Sequence, residues 1–429
     1  MRKMKDSGIG WIKEIPENWN ASKIGTLYEL RNTKVNDKDY KPLSVTMNGI
    51  VPQLETAAKT NAHDDRKLVC EGDFVINSRS DRRGSCGISS YDGSVSLINI
   101  VLKPFTNMNP VYYNWLFHTV NFADEFFKWG HGIVDDLWTT GWQEMKNIII
   151  PTPPIDEQKR IAAYLDEQCK KIDEIMADIQ NQIDTLEDYK KSVISEAVTK
   201  GLDPDTTMKC SGVSHIDSIP SHWKTLKLKY ASTLKGRIGW QGLRTEEYRD
   251  EGPYLVTGTD FNKGYINWSS CVHVSKERFE QDKNIQIQEN DLLITKDGTI
   301  GKIAMAKECP AEVSLNSGVF IVRNNRKYRY NDKFFYYIIL SKQFSLWFEL
   351  AQRGNSTIKH LTQENFYEFT FAYPPIAEQA QIVDFLDDKC GRVDSIIEDK
   401  KAQLETIENY KKSLIYEYVT GKKEVPENE

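Results

Sequence analysis

The chain has 429 residues, enough for roughly two to four domains with their own cores, and its 39% hydrophobic and 28% charged residues exclude both a disordered and a membrane-embedded protein. No apolar run reaches the roughly 18 residues a bilayer-spanning helix needs. MRKMKDSGIGWIKEIPENW at the start lacks the apolar segment of a signal peptide, so the cytoplasm is the expected location. The net charge of -6 is unevenly spread: residues 17–150 carry 14 basic and 16 acidic side chains, 221–373 carry 22 and 17, and 153–209 and 374–429 each carry 8 and 13. Seven scattered cysteines with no CxxC pair read as reduced structural thiols.

In chain order, the opening residues are the first half of a repeat. Met4, Lys5, Ser7, Gly8, Ile12, Ile15, Pro16 and Trp19 recur 204 positions later as Met208, Lys209, Ser211, Gly212, Ile216, Ile219, Pro220 and Trp223. A first insert, roughly 17–150, follows. Its β-like runs (Lys67 to Cys70, Asp73 to Asn77, Ser96 to Leu102) alternate with Gly, Asn and Asp turns and lead into an aromatic-rich helical stretch from Tyr112 to Trp129. Asn109-Pro110-Val111-Tyr112 resembles the Asn-Pro-Pro-Tyr element of adenine methyltransferases but lacks the second proline and any glycine-rich cofactor loop, so it reads as a helix cap. A loop at Gly130 to Leu137 closes the insert.

From Pro153 a longer repeat begins. PPIDEQKRIAAYLDEQCKKIDEIMADIQNQIDTLEDYKKSVISEAVTKG aligns without a gap to the segment starting at Pro374, an offset of 221. Apolar residues at alternating steps of three and four predict one long helix in each copy, with seam residues Ile172, Met176, Ile179, Ile183 and Leu186 in the first and Val393, Ile397, Leu404, Ile407 and Leu414 in the second. Lys190, Lys400 and Lys411 interrupt the seams. A Pro-Pro pair with acidic residues in the first turn starts each helix and Gly201 or Gly421 stops it. Two matching stripes of equal length favour antiparallel pairing, because each supplies the other's missing apolar partner.

The second insert, roughly 221–372, is nearly unrelated in sequence to the first, with β-like runs at Pro253 to Thr257, Asp291 to Lys296 and Gly318 to Val322, a helical stretch from Phe334 to Leu350 and a loop at Gly354 to Leu361. DGTIGKIA, at Asp297 to Ala304, has glycine spacing too short for a phosphate loop and reads as a turn between strands. The seven histidines form no pair at ligand spacing, so no metal site is expected. The segments are 1–152, 153–203 (first long helix), 204–373 and 374–429 (second long helix and tail).

Arg, Lys, Asn and Gln can read base edges, and turns projecting from a sheet can carry them there. The candidates are Asn77, Ser78, Arg79, Arg82 and Arg83 in the first insert. In the second they are Arg237, Gln241, Arg244, Thr295, Lys296, Lys302, Arg353, Asn355 and Lys359.

The duplicated PPxxEQ…YKKS helices, the repeated SG…IP..W openings and the divergent inserts resemble the DNA-specificity (S) subunit of type I restriction-modification enzymes over essentially the whole chain. The resemblance implies an α+β fold, with two mixed α/β target recognition domains joined by two long antiparallel coiled-coil helices, a tandem duplication with pseudo-twofold symmetry. It implies a non-catalytic chain whose partners are double-stranded DNA, two methyltransferase (M) subunits and restriction (R) subunits. The cofactors, S-adenosylmethionine and ATP with Mg, would belong to those partners. The residue pattern also admits the specificity component of a type IIB enzyme, or a coiled-coil scaffold whose inserts bind proteins.

Overall fold

A computed structural model describes residues 2–54, 64–132, 138–237, 243, 245–325, 327–352 and 360–426. The chain divides into two compact units, one of residues 1–180 and 401–429, the other of residues 181–400. Both cut the long helices, Ile155–Lys200 and Ile376–Val419, part-way along.

In the first unit the opening repeat is a hairpin, Met4–Ile9 against Ile12–Pro16, with Met4 opposite Pro16. Its bend needs Gly8 at φ +67° and the Ser7 hydroxyl, which donates to the Ile12 carbonyl. Asn20–Lys23 then pairs with Ile149–Thr152, closing the insert at its base. Between them lies a four-stranded sheet in the order Tyr28–Leu30, Asn99–Pro104, Phe74–Asn77, Cys86–Ile88. A smaller sheet joins Gly93–Ser96, Arg66–Val69 and Lys34–Val35.

The stretch expected as one helix from Tyr112 to Trp129 is two, Pro110–Phe117 and Val120–Lys128. Thr119 breaks it: its hydroxyl donates to the Leu116 carbonyl and accepts from Phe122 N–H, ending one helix and capping the next. Asn109 caps the first helix as the sequence indicates, accepting from Val111 and Tyr112 N–H. Apolar faces of these helices cover the larger sheet, with Phe74 and Phe117 ring centres 4.8 Å apart and Phe117 and Phe122 4.5 Å apart.

The second unit repeats this plan although its insert is unrelated in sequence. Met208–Val213 pairs with Ile216–Pro220, Lys224–Lys227 with Thr370–Tyr373, and Ser232–Gly236, Val319–Asn324, Leu292–Thr295 and Ile303–Met305 follow one another in the order of the first unit's sheet. Two further strands, Tyr265–Ile266 and Phe261–Asn262, extend it. The helical stretch is again split, into Asp332–Leu340 and Lys342–Ala351, by Ser341, whose hydroxyl bonds the Ile338 carbonyl and the Gln343 N–H.

Each unit contains a length of antiparallel coiled coil. In the first, Ile161, Leu165, Cys169 and Ile172 share a core with Leu414, Ile415, Tyr418 and Val419 from the end of the second long helix. In the second, Ile194, Ala197 and Val198 share one with Ile382, Val383, Leu386 and Cys390. Of the seam residues, Ile172, Ile179, Ile183, Val393, Ile397 and Leu414 are buried, while Met176, Leu186, Leu404 and Ile407 are half-buried.

The seam lysines do not break the pairing, because each extends along the apolar surface and ends on the opposite helix. In the first unit Lys411 Nζ lies 2.6 Å from Asp173, and in the second Lys190 Nζ lies 2.7 Å from Asp394. These are the same pair, since both residues are related by the offset of 221. Gly201 and Gly421 end the helices at φ +77° and +73°. A Cβ on Gly421 would come within 2.5 Å of Pro16, so here glycine also permits the helix end to dock on the hairpin.

Candidate nucleic-acid interface

The repeated residues form the frame that holds each insert. Trp19 Nε1 donates to Glu157 at 2.9 Å, and Trp223 Nε1 donates to Glu378 at 2.8 Å. The neighbouring glutamine binds two backbone groups. Gln158 Nε2 donates to the Pro153 carbonyl and its Oε1 accepts from Asn109 N–H, each at 2.8 Å; Gln379 does the same with Pro374 and Asn331, again at 2.8 Å. The glutamine in the first turn of each long helix thus also fixes the cap of the insert's first aromatic-rich helix. Trp115 Nε1 on Asp166 (2.8 Å) and Tyr337 Oη on Asp387 (2.6 Å) add a second tie.

On this frame the candidate turns occupy equivalent stations. In the first unit the strand Phe74–Asn77 runs into the turn of Ser78, Arg79, Arg82 and Arg83, and Thr140 N–H donates to the Ser78 carbonyl at 3.0 Å. In the second, Leu292–Thr295 runs into the turn of Lys296 to Lys302, and Leu361 N–H donates to the Lys296 carbonyl, also at 3.0 Å. DGTIGKIA is therefore a turn between strands, as its spacing indicates, with Gly298 at φ +69° and Gly301 at +87°.

Asn77 is half-buried and uses Oδ1 to accept from Arg79 N–H at 3.0 Å. Ser78 is buried, its hydroxyl on the Ile98 carbonyl. Arg79 and Arg82 lie 3.5 and 3.7 Å from Asp81. Arg83 lies 3.0 Å from Asp124 and stacks over Phe127 with its guanidinium carbon 4.2 Å from the ring centre.

In the second unit Lys302 is exposed, and Lys296 Nζ binds Asp297 at 2.6 Å. Burial opposes ionisation of Asp297, but hydrogen bonds from Lys296 and His360 outweigh it and hold the carboxyl below its ordinary pKa.

Three of the described candidates expected on the surface are inside: Ser78, as given above, and two residues of the second unit. Arg237 is buried, its Nε donating to the Leu315 carbonyl and an Nη to the Ser314 hydroxyl, both at 3.0 Å, and burial lowers its pKa. Thr295 is buried with its hydroxyl donating to the Thr299 carbonyl at 2.5 Å and accepting from Lys302 N–H at 3.0 Å. Both side chains hold strands and turns together and present no polar edge to solvent. Gln241, Arg244, Arg353, Asn355 and Lys359 lie outside the described residues.

Sequence reasoning passed over Trp19, Trp223, Gln158, Gln379 and His360 as functional. Four of them carried a usable signal, since they are identical at the repeat offsets.

Residues 16–185 and 220–406 match the family described as type I restriction modification DNA specificity domain. The chain belongs to that family. It is 22% identical over 425 residues to the type I restriction enzyme MjaVIII specificity subunit of Methanocaldococcus jannaschii, covering 95% of this chain and 93% of that protein. It is also 23% identical over 281 residues to the type I restriction enzyme EcoBI specificity subunit of Escherichia coli, covering 65% and 59% respectively. Its fold is similar to a chain from a structure of complex assembly and conformational transition in a type I R-M system, with a TM-score of 0.69 at 14% identity over 95% of this chain and 99% of that one. Among the described residues no helix is long and apolar enough to cross a membrane.

Proposed function

We propose that this member of the specificity family reads a bipartite double-stranded DNA target, one recognition unit for each half, and assembles the enzymes that act there without performing catalysis itself. The observation that carries the reading is the contrast between frame and insert. Trp19, Glu157, Gln158 and Asp166 of the frame recur as Trp223, Glu378, Gln379 and Asp387, while the turns mounted at equivalent stations differ: three arginines on one, two lysines on the other. Equivalent inserts would suit a palindrome; divergent ones suit two different half-sites.

Two methyltransferase subunits are the partners that a duplicated surface fits. Ile175, Gln182, Tyr189 and Glu196 recur at heptad spacing as Ile396, Gln403, Tyr410 and Glu417. Ile175, Ile396, Tyr189 and Tyr410 are 45–56% exposed, so the coiled-coil core does not account for them. In this reading S-adenosylmethionine serves adenine N6 methylation in the methyltransferase subunits, ATP and Mg serve the restriction subunits, and the complex works in the cytoplasm.

The test is reconstitution with the co-expressed methyltransferase. The chain alone, given S-adenosylmethionine and DNA, should transfer no methyl group, and the complex should hold two methyltransferase subunits per chain. Ile175→Asp with Ile396→Asp should lower that ratio. Methyl transfer by the purified chain alone would overturn the reading.

A further inference from the structure

We infer that Arg83 reads a guanine in the half-site of the first recognition unit, an assignment that rests on the proposed DNA-reading role. Three arginines lie on that turn, and Arg83 is braced from outside it. Arg79 and Arg82 approach Asp81 of their own turn at 3.5 and 3.7 Å. Arg83 is held by a different element, the helix Val120–Lys128. Phe127 lies under the guanidinium at 4.2 Å and Asp124 takes one Nη at 3.0 Å. These two residues are three apart on the helix, so they lie on one face and act together. The ring covers one side of the guanidinium, and the carboxylate lies against one edge.

What remains free is the part that recognition needs. The Arg83 side chain is 46% exposed despite both contacts. A guanidinium has five N–H donors in a fixed fork, and the ion pair with Asp124 leaves donors for the O6 and N7 acceptors of guanine. Because the guanidinium is already held by a ring and a carboxylate, less side-chain freedom is lost on binding than for a loose arginine. The support is itself rigid: Phe127 packs against Trp138 with ring centres 5.8 Å apart, and Trp138 Nε1 donates to the Phe127 carbonyl. The equivalent turn of the second unit carries Lys296, paired with Asp297 at 2.6 Å. An ammonium cannot present a planar fork, so the assignment is confined to the first unit.

The experiment compares Arg83→Lys, Arg83→Ala and Phe127→Leu in the complete complex, mapping methylated adenines genome-wide and measuring DNA affinity across a salt series. Arg83→Lys keeps the charge and removes the fork. It should relax one guanine position of one half-site, with discrimination falling roughly ten- to a hundredfold. The other half and the salt slope should not change. Phe127→Leu keeps Arg83 and removes its support, and should relax the same position to a smaller extent.

If Arg83→Lys preserves the target while Arg83→Ala weakens binding to all sequences and makes the salt slope shallower by about one, the residue contacts phosphate and the inference fails. It fails equally if neither substitution changes anything. Retained recognition of the second half-site shows that a variant is folded. Exchange of the whole first insert separates this inference from the reading beneath it. If that exchange changes one half-site while Arg83→Lys does not, only the Arg83 assignment falls. If the exchange is also silent, the reading falls with it.

Discussion

Gln158→Ala should loosen the first unit and leave the second intact. Gln158 is 2% exposed, and its amide satisfies two backbone groups at 2.8 Å each, the buried Pro153 carbonyl and the half-buried Asn109 N–H. Alanine supplies neither bond, and a buried polar group left without a partner costs about 1–3 kcal/mol. The buried carbonyl alone gives about 1–3 kcal/mol before the half-buried N–H or any cavity is counted. For a unit of roughly 200 residues, at about 2–4 °C per kcal/mol, the melting transition of the first unit should fall by at least about 2 °C. Hydrogen exchange should quicken at Asn109 and along Pro110–Phe117, while Asp332–Leu340 keeps its protection. Gln379→Ala should reverse the pattern. Gln158→Glu should not rescue, because it replaces the donor to Pro153 with an oxygen and buries a charge. A Gln158→Ala protein that melts within about 1 °C of the parent, with unchanged exchange in this helix, would refute the assigned role.

Other consequences concern the coiled coil, the helix end and the buried arginine. Lys190→Asp sets a second carboxylate against Asp394 and should destabilise the second unit by about 0.2–1 kcal/mol, the range of exposed pairs, with Asp394→Lys restoring it in a double-mutant cycle. Gly421→Ala should cost more than Gly8→Ala in urea unfolding: both sit at positive φ, worth about 1–2 kcal/mol, but only Gly421 also meets Pro16 and Trp19. Arg237→Ala should lower stability by about 1.5–3 kcal/mol, the value of hydrogen bonds to a charged group, and leave the methylated target unchanged. A changed target would return Arg237 to the DNA face.

Periodicity made the long helices legible, because a seam of Ile, Leu and Val at steps of three and four keeps to one face of a helix, whereas in a strand it would scatter over both faces. Gly201 and Gly421 marked the stops. The breaks at Thr119 and Ser341 were not legible. Each residue sits inside an unbroken aromatic pattern, and only the bonds of its hydroxyl show that it caps a new helix. Arg237 and Thr295 show a different limit: a polar residue at the end of a strand reads the same whether it turns outward or bonds the neighbouring backbone. The shared strand order was hidden because the inserts retain little common sequence. The discontinuous first unit was hidden because it depends on contacts such as Tyr112 Oη with the Val419 carbonyl, 307 residues away. Lys190 and Lys411 looked like faults in the seam; their acidic partners become apparent only when the repeat is read across both helices.

The two inserts should read two halves of one target independently. This independence is tested most directly by replacing residues 17–150 with the corresponding insert of another family member and mapping methylated adenines in cells that carry the complete complex. One half of the methylated target should take the donor's sequence while the other half is unchanged. A target altered in both halves, or in neither, would contradict it.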